Sequence, residues 1–287
     1  MNHKGKLIII GGNEDKGIDT NEKDHLEFIH ESILSRLVQE SGGTEAKIVI
    51  IPTASRIPER VAESYLKAFT QLDCKNVEVV DIREREESSD EKNLELIEEA
   101  DCVLFSGGDQ SQITYKIGGS CLHRVLMRRF EEEENFVVAG TSAGAMCMAE
   151  EMITGGGGKE SFRKGAVGMG EGLGLIPHLV IDSHFIRRGR FGRLAEAVAR
   201  FPKLIGVGLA EDTGLVVKDC NSFEVIGSGM VILFDPDSLT YNNEKGLKQG
   251  EGMTIANLKT HILASGIQFS IEKRAIKVVG EGVEMSY

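Results

Sequence analysis

FVVAGTSAGAMCMAE, residues 136–150, sets a short apolar run against a glycine-bracketed serine and then a helix-forming stretch. Phe136–Ala139 is apolar throughout, as a strand buried on both faces of a parallel sheet requires. Gly140-Thr-Ser-Ala-Gly144 follows it directly, and Ala143–Glu150 is rich in good helix formers. Strand, tight turn and helix in that order make a sharp bend. Its glycines relieve crowding and push Ser142 into the open, the G-x-S-x-G nucleophile-elbow pattern.

Working outward, Lys6–Ile10, Lys47–Ile51, Val77–Ile82 and Asp101–Phe105 are equally short runs of Val, Ile and Leu. Helical periodicity separates them. Over Asp24–Glu40, Leu26, Ile29, Ile33 and Leu37 recur every three or four residues, with Asp24 as cap and Gly42-Gly43 as stop signal. Pro58–Leu72, Asp90–Ala100 and Ser120–Glu134 read the same way. Strand and helix in alternation imply right-handed crossovers and an α/β fold built on a doubly wound, mainly parallel sheet. After Ala149 the pattern changes. Gly155–Gly158 and Gly165–Gly174 read as loops, Leu179–Ile181 as a strand and Arg190–Phe201 as a helix. Strands at Leu204–Leu209, Gly214–Val217, Phe223–Ile226 and Met230–Phe234 are spaced closely enough for antiparallel pairing, an appendage to the parallel core. No Pro- or Ser-rich linker interrupts the chain, so residues 1–287 read as one α/β domain.

With 33 basic against 45 acidic side chains, the net charge of -12 repels phosphates and anionic lipid, so neither nucleic acid nor membrane is an expected partner. No apolar run reaches the roughly 18 residues of a membrane span. The four apolar residues before Gly11-Gly12 fall short of a signal peptide. Five scattered cysteines without CxxC spacing read as reduced thiols of a cytoplasmic protein. Walker, G-x-G-x-x-G, HExxH and clustered Cys/His patterns are missing, so no cofactor and no metal are expected.

In open α/β sheets, ligands lie beyond the carboxyl ends of the strands. Those ends are Gly11-Gly-Asn-Glu14, Pro52-Thr-Ala-Ser55, Ser106-Gly-Gly-Asp-Gln110 and Gly140–Gly144. A nucleophilic Ser142 needs a base to take its proton and an acid to orient that base. His184 ends the Leu179–Ile181 strand beside Asp182 and is followed by Arg187, Arg188, Arg190 and Arg193. Glu211 and Asp212 close a further strand and are the carboxylate candidates. The order serine, histidine, acid differs from that of α/β-hydrolases, which would instead require His261 with Asp235 or Asp237. The arginines form the concentrated basic patch of an acidic chain: either a grip for a carboxylate, or a solvated helix start paired with Glu196.

Ser-Gly-Gly-Asp-Gln (106–110), Gly-Thr-Ser-Ala-Gly-Ala (140–145), Asp-Ser-His-Phe with its arginines (182–193) and Gly-Val-Gly-Leu-Ala-Glu-Asp-Thr (206–213) together resemble the cyanophycinase group of the peptidase E serine peptidases. The fold of that group is related to class I glutamine amidotransferase domains and is flavodoxin-like. The resemblance runs in order over roughly residues 5–235. It implies exopeptidase hydrolysis of cyanophycin, a polyaspartate bearing arginine on each side-chain carboxyl, to β-Asp-Arg dipeptides. By the same resemblance Ser142 is the nucleophile, His184 the base and Glu211 the orienting acid, with Ala143, Gly107 and Gly108 as oxyanion donors. Gln110, Asp182, Ser183, Arg188, Arg190 and Arg193 fall at substrate-site positions, Ser183 standing where the family's Asp-Gln-His has glutamine. The resemblance further implies a homodimer. Two other readings stay open: an aspartyl dipeptidase of the same group, or a catalytically silent module binding an acidic partner.

Overall fold

In the computed structural model, which describes residues 3–17, 27–157, 161–278 and 284–285, the apolar runs become strands, all but the partly exposed edge strand of the Val77–Ile82 run covered on both faces. β1 (Lys6–Ile10), β2 (Lys47–Ile51), β3 (Asn76–Val79), β4 (Cys102–Phe105) and β5 (Val137–Thr141) form the parallel half of a ten-stranded sheet, ordered β1-β5-β4-β2-β3. Side chains alternate across it with period two. Leu7, Ile9, Val49, Ile51, Val103 and Phe105 join one core, and Ile8, Ile10, Ile48, Ile50, Cys102 and Leu104 the other. Each fully buried leucine or isoleucine contributes about 1.5–3 kcal/mol, which makes the sheet the main store of stability.

Helices cover both faces. α1 (Phe28–Glu31), α2 (Ile33–Glu40) and α3 (Pro58–Gln71) lie on one side, Leu34, Leu37, Tyr65 and Phe69 packing into its core. On the other, α4 (Glu91–Glu99), α5 (Gln110–Ile117) and α6 (Cys121–Glu132) supply Ile97, Ile113, Leu122, Leu126 and Phe130. Local chemistry fixes their starts. The Ser32 hydroxyl accepts the Ser35 N–H at 3.1 Å, Asp90 accepts that of Lys92 at 2.9 Å, and Pro58 opens α3. Asp24 lies outside the described residues. Within them the expected Asp24–Glu40 helix is interrupted at Ser32, whose extended ψ of 158° restarts it as α2.

β5 leads into α7 (Ala143–Met146), a single turn rather than the expected helix to Glu150. Further turns are pre-empted: the Cys147 carbonyl accepts the Leu173 N–H at 2.6 Å, and Ala149 bridges Ile176. β6 (Glu151–Gly155) pairs with β7 (Gly168–Glu171), a strand inside the stretch expected to be loop. Its glycines present no side-chain alternation to read. Then come β8 (Leu179–Asp182), α8 (Phe191–Arg200), β9 (Ile205–Leu209), β10 (Thr213–Lys218), β11 (Ser222–Gly227) and β12 (Met230–Asp235).

The antiparallel pairing expected of strands β9 to β12 is present, β10 with β11 and β9 with β12, but the two pairs belong to different sheets. β10 pairs antiparallel with β1, and β11 with β10, widening the large sheet. β9 runs parallel to β8 and antiparallel to β12. The reason is α8, which gives β8 and β9 the long crossover that a parallel pair needs. A ribbon of β13 (Tyr241–Asn242) and β14 (Ile255–Ala256) precedes β15 (Lys259–Ala264), which completes the sheet β15-β12-β9-β8. β16 (Ile267–Ser270), β17 (Ala275–Val278) and β18 (Glu284–Met285) finish the large one. Val180, Val207, Leu209 and Leu233 of the small sheet share a core with Leu7 and Ile9. Backbone bonds join the carboxyl ends of both: His184 N–H to Gly11 O at 2.8 Å and Asp212 N–H to Gly12 O at 2.9 Å.

Candidate active site

The serine turn is built by its glycines. A Cβ on Gly140 would lie 2.3 Å from the Gly144 carbonyl oxygen, so the two ends of Gly140–Gly144 close on each other only without side chains. Between them Ser142 is held at φ 51°, ψ −107°, a region non-glycine residues seldom occupy. Its N–H is tied to Ile10 O at 2.9 Å. His184, at the end of β8, is likewise at φ 47°. Strain of this kind persists where surrounding structure over-determines it, and it clusters at working sites.

The two strained residues meet. His184 Nε2 lies 3.0 Å from Ser142 Oγ, and Nδ1 lies 2.7 Å from Glu211 Oε1 just after β9. Pairing with a carboxylate places the ring proton on Nδ1, which leaves Nε2 to accept from the serine. Burial drives the imidazole below its usual 6.5, helped by Arg188 and Arg190 and opposed by Glu211. It is therefore neutral, and a base, near pH 7. For Glu211, burial works toward a higher value, but hydrogen bonds from Arg187, His184 and Asn13 outweigh it and hold the acid below the carboxylate range. Arg187 Nη1 donates to Oε2 at 2.8 Å, so both carboxylate oxygens are engaged and the group cannot swing away from the ring. Asp212, the other acid considered, accepts from Ser228 and the Asp15 N–H instead.

The Ala143, Gly107 and Gly108 amides donate to no group among the described residues. Gly107 approaches closely: a Cβ there would sit 3.9 Å from Ser142 Oγ. Ala143 follows the serine at a helix start and Gly107 lies beside it at a strand end, while Gly108 packs against the Ala54 carbonyl. Ser183, 1% exposed, has its hydroxyl 3.5 Å from that of Ser142 and donates to Met146 Sδ at 3.3 Å. Gln110 spends its amide N–H on Ile153 O at 2.7 Å, tying the start of α5 to β6.

The arginines divide into two groups. Asp182 is fully buried and receives both Arg193, through Nε at 2.8 Å and Nη2, and Arg190 at 3.1 Å. Arg190 also donates to Ser183 O at 2.7 Å. Burial, with Arg193 and Arg188 alongside, lowers the Arg190 guanidinium to about 10. This trio is a packed ionic cluster beneath the loop. Arg188 is exposed, and among the described residues no side-chain bond engages its guanidinium. His261 and Asp235, the other histidine–acid pairing considered, lie on the edge strand β15 and at the end of its neighbour β12, His261 against Phe269 and Asp235 bound to Arg274.

Residues 17–225 match the sequence profile of peptidase family S51. The chain belongs to that family. It is accordingly a serine-type peptidase. It is 35% identical over 274 residues to the cyanophycinase of Trichormus variabilis, covering 95% of this chain and 88% of that one. To the cyanophycinase of Geminocystis herdmanii it is 33% identical over 268 residues, covering 93% and 94%. A peptidase from an acI-B1 Actinobacterium, seen in a crystal structure, superposes with a TM-score of 0.66 at 20% identity, over 94% of this chain and 98% of that one. That likeness speaks to the fold.

Other reactive groups lie outside the site. Burial pushes the Cys102 thiol up to about 12 and that of Cys147 higher still, which makes them inert core residues. A cavity of about 800 Å³ touches His3, His178 and Lys203, at the amino ends of β1, β8 and β9, away from Ser142. Among the described residues no helix is long and apolar enough to cross a membrane. Sequence reading passed over two contributors, Arg187 and Asn13, both on Glu211. Asn13 stood in a strand-end segment already singled out, and Arg187 in the arginine run; only the fold connects them to the acid.

Proposed function

We propose that this chain is an exopeptidase of cyanophycin, releasing β-Asp-Arg dipeptides through a Ser142–His184–Glu211 triad and an acyl-enzyme. Releasing that dipeptide breaks a main-chain amide and leaves the aspartyl side chain joined to its arginine. The carbonyl attacked is therefore in the polyaspartate backbone. Ser142 Oγ bonds to it while its proton passes to His184 Nε2, and Glu211 stabilises the imidazolium. The Ala143 amide, with one from Gly107 or Gly108, donates to the developing oxyanion; losing one such donor costs about 3 kcal/mol. His184 then gives the proton to the leaving nitrogen as the C–N bond breaks. Water, deprotonated by the same imidazole, releases the acyl group.

The observation that carries this reading is the continuous hydrogen-bond relay from Ser142 through His184 to Glu211, in a chain similar to cyanophycinases along most of its length. Arg188 adds the substrate class. Each arginine of the polymer ends in a free carboxylate, and Arg188 is the guanidinium left to receive one. Asp182, Arg190 and Arg193 support that loop from below. Residues 1–287 act as one hydrolytic domain, and by the same likeness the working form is a cytoplasmic homodimer. Incubation with cyanophycin granules tests the assignment. Soluble β-Asp-Arg is the expected product, with Asp-Leu left intact; cleavage of Asp-Leu with cyanophycin untouched would point to an aspartyl dipeptidase instead.

A further inference from the structure

Beneath the serine turn lies a buried carboxylate to which the reaction above gives no part. Glu14 follows β1 at the carboxyl edge of the sheet, its side chain 1% exposed. One oxygen accepts the Thr141 hydroxyl at 2.6 Å. The other accepts the Tyr65 phenol of α3, and Lys16 Nζ at 3.0 Å. Burial alone would raise this carboxyl, yet Lys16, Thr141, Tyr65 and its own backbone N–H outweigh that and hold it low. Burial beside the anion pushes the Tyr65 phenol well up, so Tyr65 remains a donor.

Thr141 is the residue before Ser142. The serine's strained backbone is therefore held from two directions, by its N–H on Ile10 O and by the Thr141 side chain on Glu14. Lys16 balances the charge, so what Glu14 delivers is geometry. We propose that Glu14 is a positioning residue for hydrolysis: by gripping Thr141 against Tyr65 it fixes the turn that aims Ser142 Oγ at His184. The inference rests on Ser142 being the nucleophile.

Glu14→Gln keeps the shape but turns one acceptor into an N–H₂ facing a donor. Thr141→Val removes only the hydroxyl, and Thr141→Ser restores it. The readouts are thermal stability, the kcat and KM split on cyanophycin, and the rate at which a sulfonyl fluoride labels Ser142. Glu14→Gln and Thr141→Val should each lower kcat and labelling roughly 10- to 100-fold with KM nearly unchanged. Thr141→Ser should recover most of the loss, and the double variant should be no slower than either single one. Wild-type labelling rates in folded Glu14→Gln and Thr141→Val, or losses that multiply in the double variant, would overturn the proposal. If Glu14→Gln does not fold, the contrast between Val and Ser at position 141 decides. Labelling needs no substrate. A wild type labelled at Ser142 that leaves cyanophycin intact would therefore overturn the substrate assignment, while the labelling ratios still decide Glu14.

Discussion

Gly12→Ala tests the geometry at a residue with no chemistry of its own. Gly12 sits at φ 100°, and a Cβ there would lie 2.5 Å from His184 Nε2 and Cε1. Ordinary contacts of that kind fall at about 3.5 Å, so the ring has to move by about 1 Å. It cannot retreat as a unit, because the His184 N–H is bound to Gly11 O at 2.8 Å. It must rotate, stretching the 3.0 Å contact with Ser142 beyond the roughly 3.2 Å reach of a working base. Displacements of that size cost about 100-fold in rate. A side chain at positive φ adds about 1–2 kcal/mol of strain, which lowers Tm by about 2–4 °C. Steady-state dipeptide release and a thermal melt check both numbers. A folded Gly12→Ala protein with wild-type kcat would refute the claim that this imidazole, in this place, is the base.

Other outcomes follow from the same contacts. Glu211→Gln should reduce kcat by about 10,000-fold, as expected when an orienting carboxylate is lost, measured by initial rates on purified, folded protein. Because His184 is neutral down to a pH below 6.5, kcat/KM should fall on its acid side only below that value. The sign for stability is the same: an unfolded chain binds the proton first, so acid also destabilises the fold in that window. Arg188→Met should shift the acid limb upward, since Arg188 is a cation that lowers His184, and should raise KM as a substrate carboxylate loses its partner; pH–rate profiles report both. Asp182→Asn leaves Arg190 and Arg193 facing a neutral group in the interior and should cost about 3–5 kcal/mol, read as a lowered denaturation midpoint.

Much of this was legible in the residues. Strands buried on both faces have no polar alternation, so Lys6–Ile10, Lys47–Ile51 and Asp101–Phe105 stood out, and each appears in the sheet. The end of each run marked where a ligand would lie, which brought Ser142, His184 and Glu211 into view although they are scattered along the chain. What stayed hidden depends on pairing at a distance. Nothing local says that β10 joins β1 while β9 turns to β8, because the partners are chosen by faces buried elsewhere. Nor does local sequence say that Asp182 takes up two of the four arginines, Arg190 and Arg193, which makes half of the basic patch internal support. Glu14 read as one residue of a glycine-rich strand end; only the tertiary fold brings Tyr65 of α3 and Thr141 of β5 to it.

The most direct measurement is the mass spectrum of the protein after reaction with a fluorophosphonate. One adduct is expected, on the peptide containing Ser142, absent from Ser142→Ala and formed far more slowly by His184→Ala. An unmodified Ser142, or labelling indifferent to the loss of His184, would contradict the mechanism.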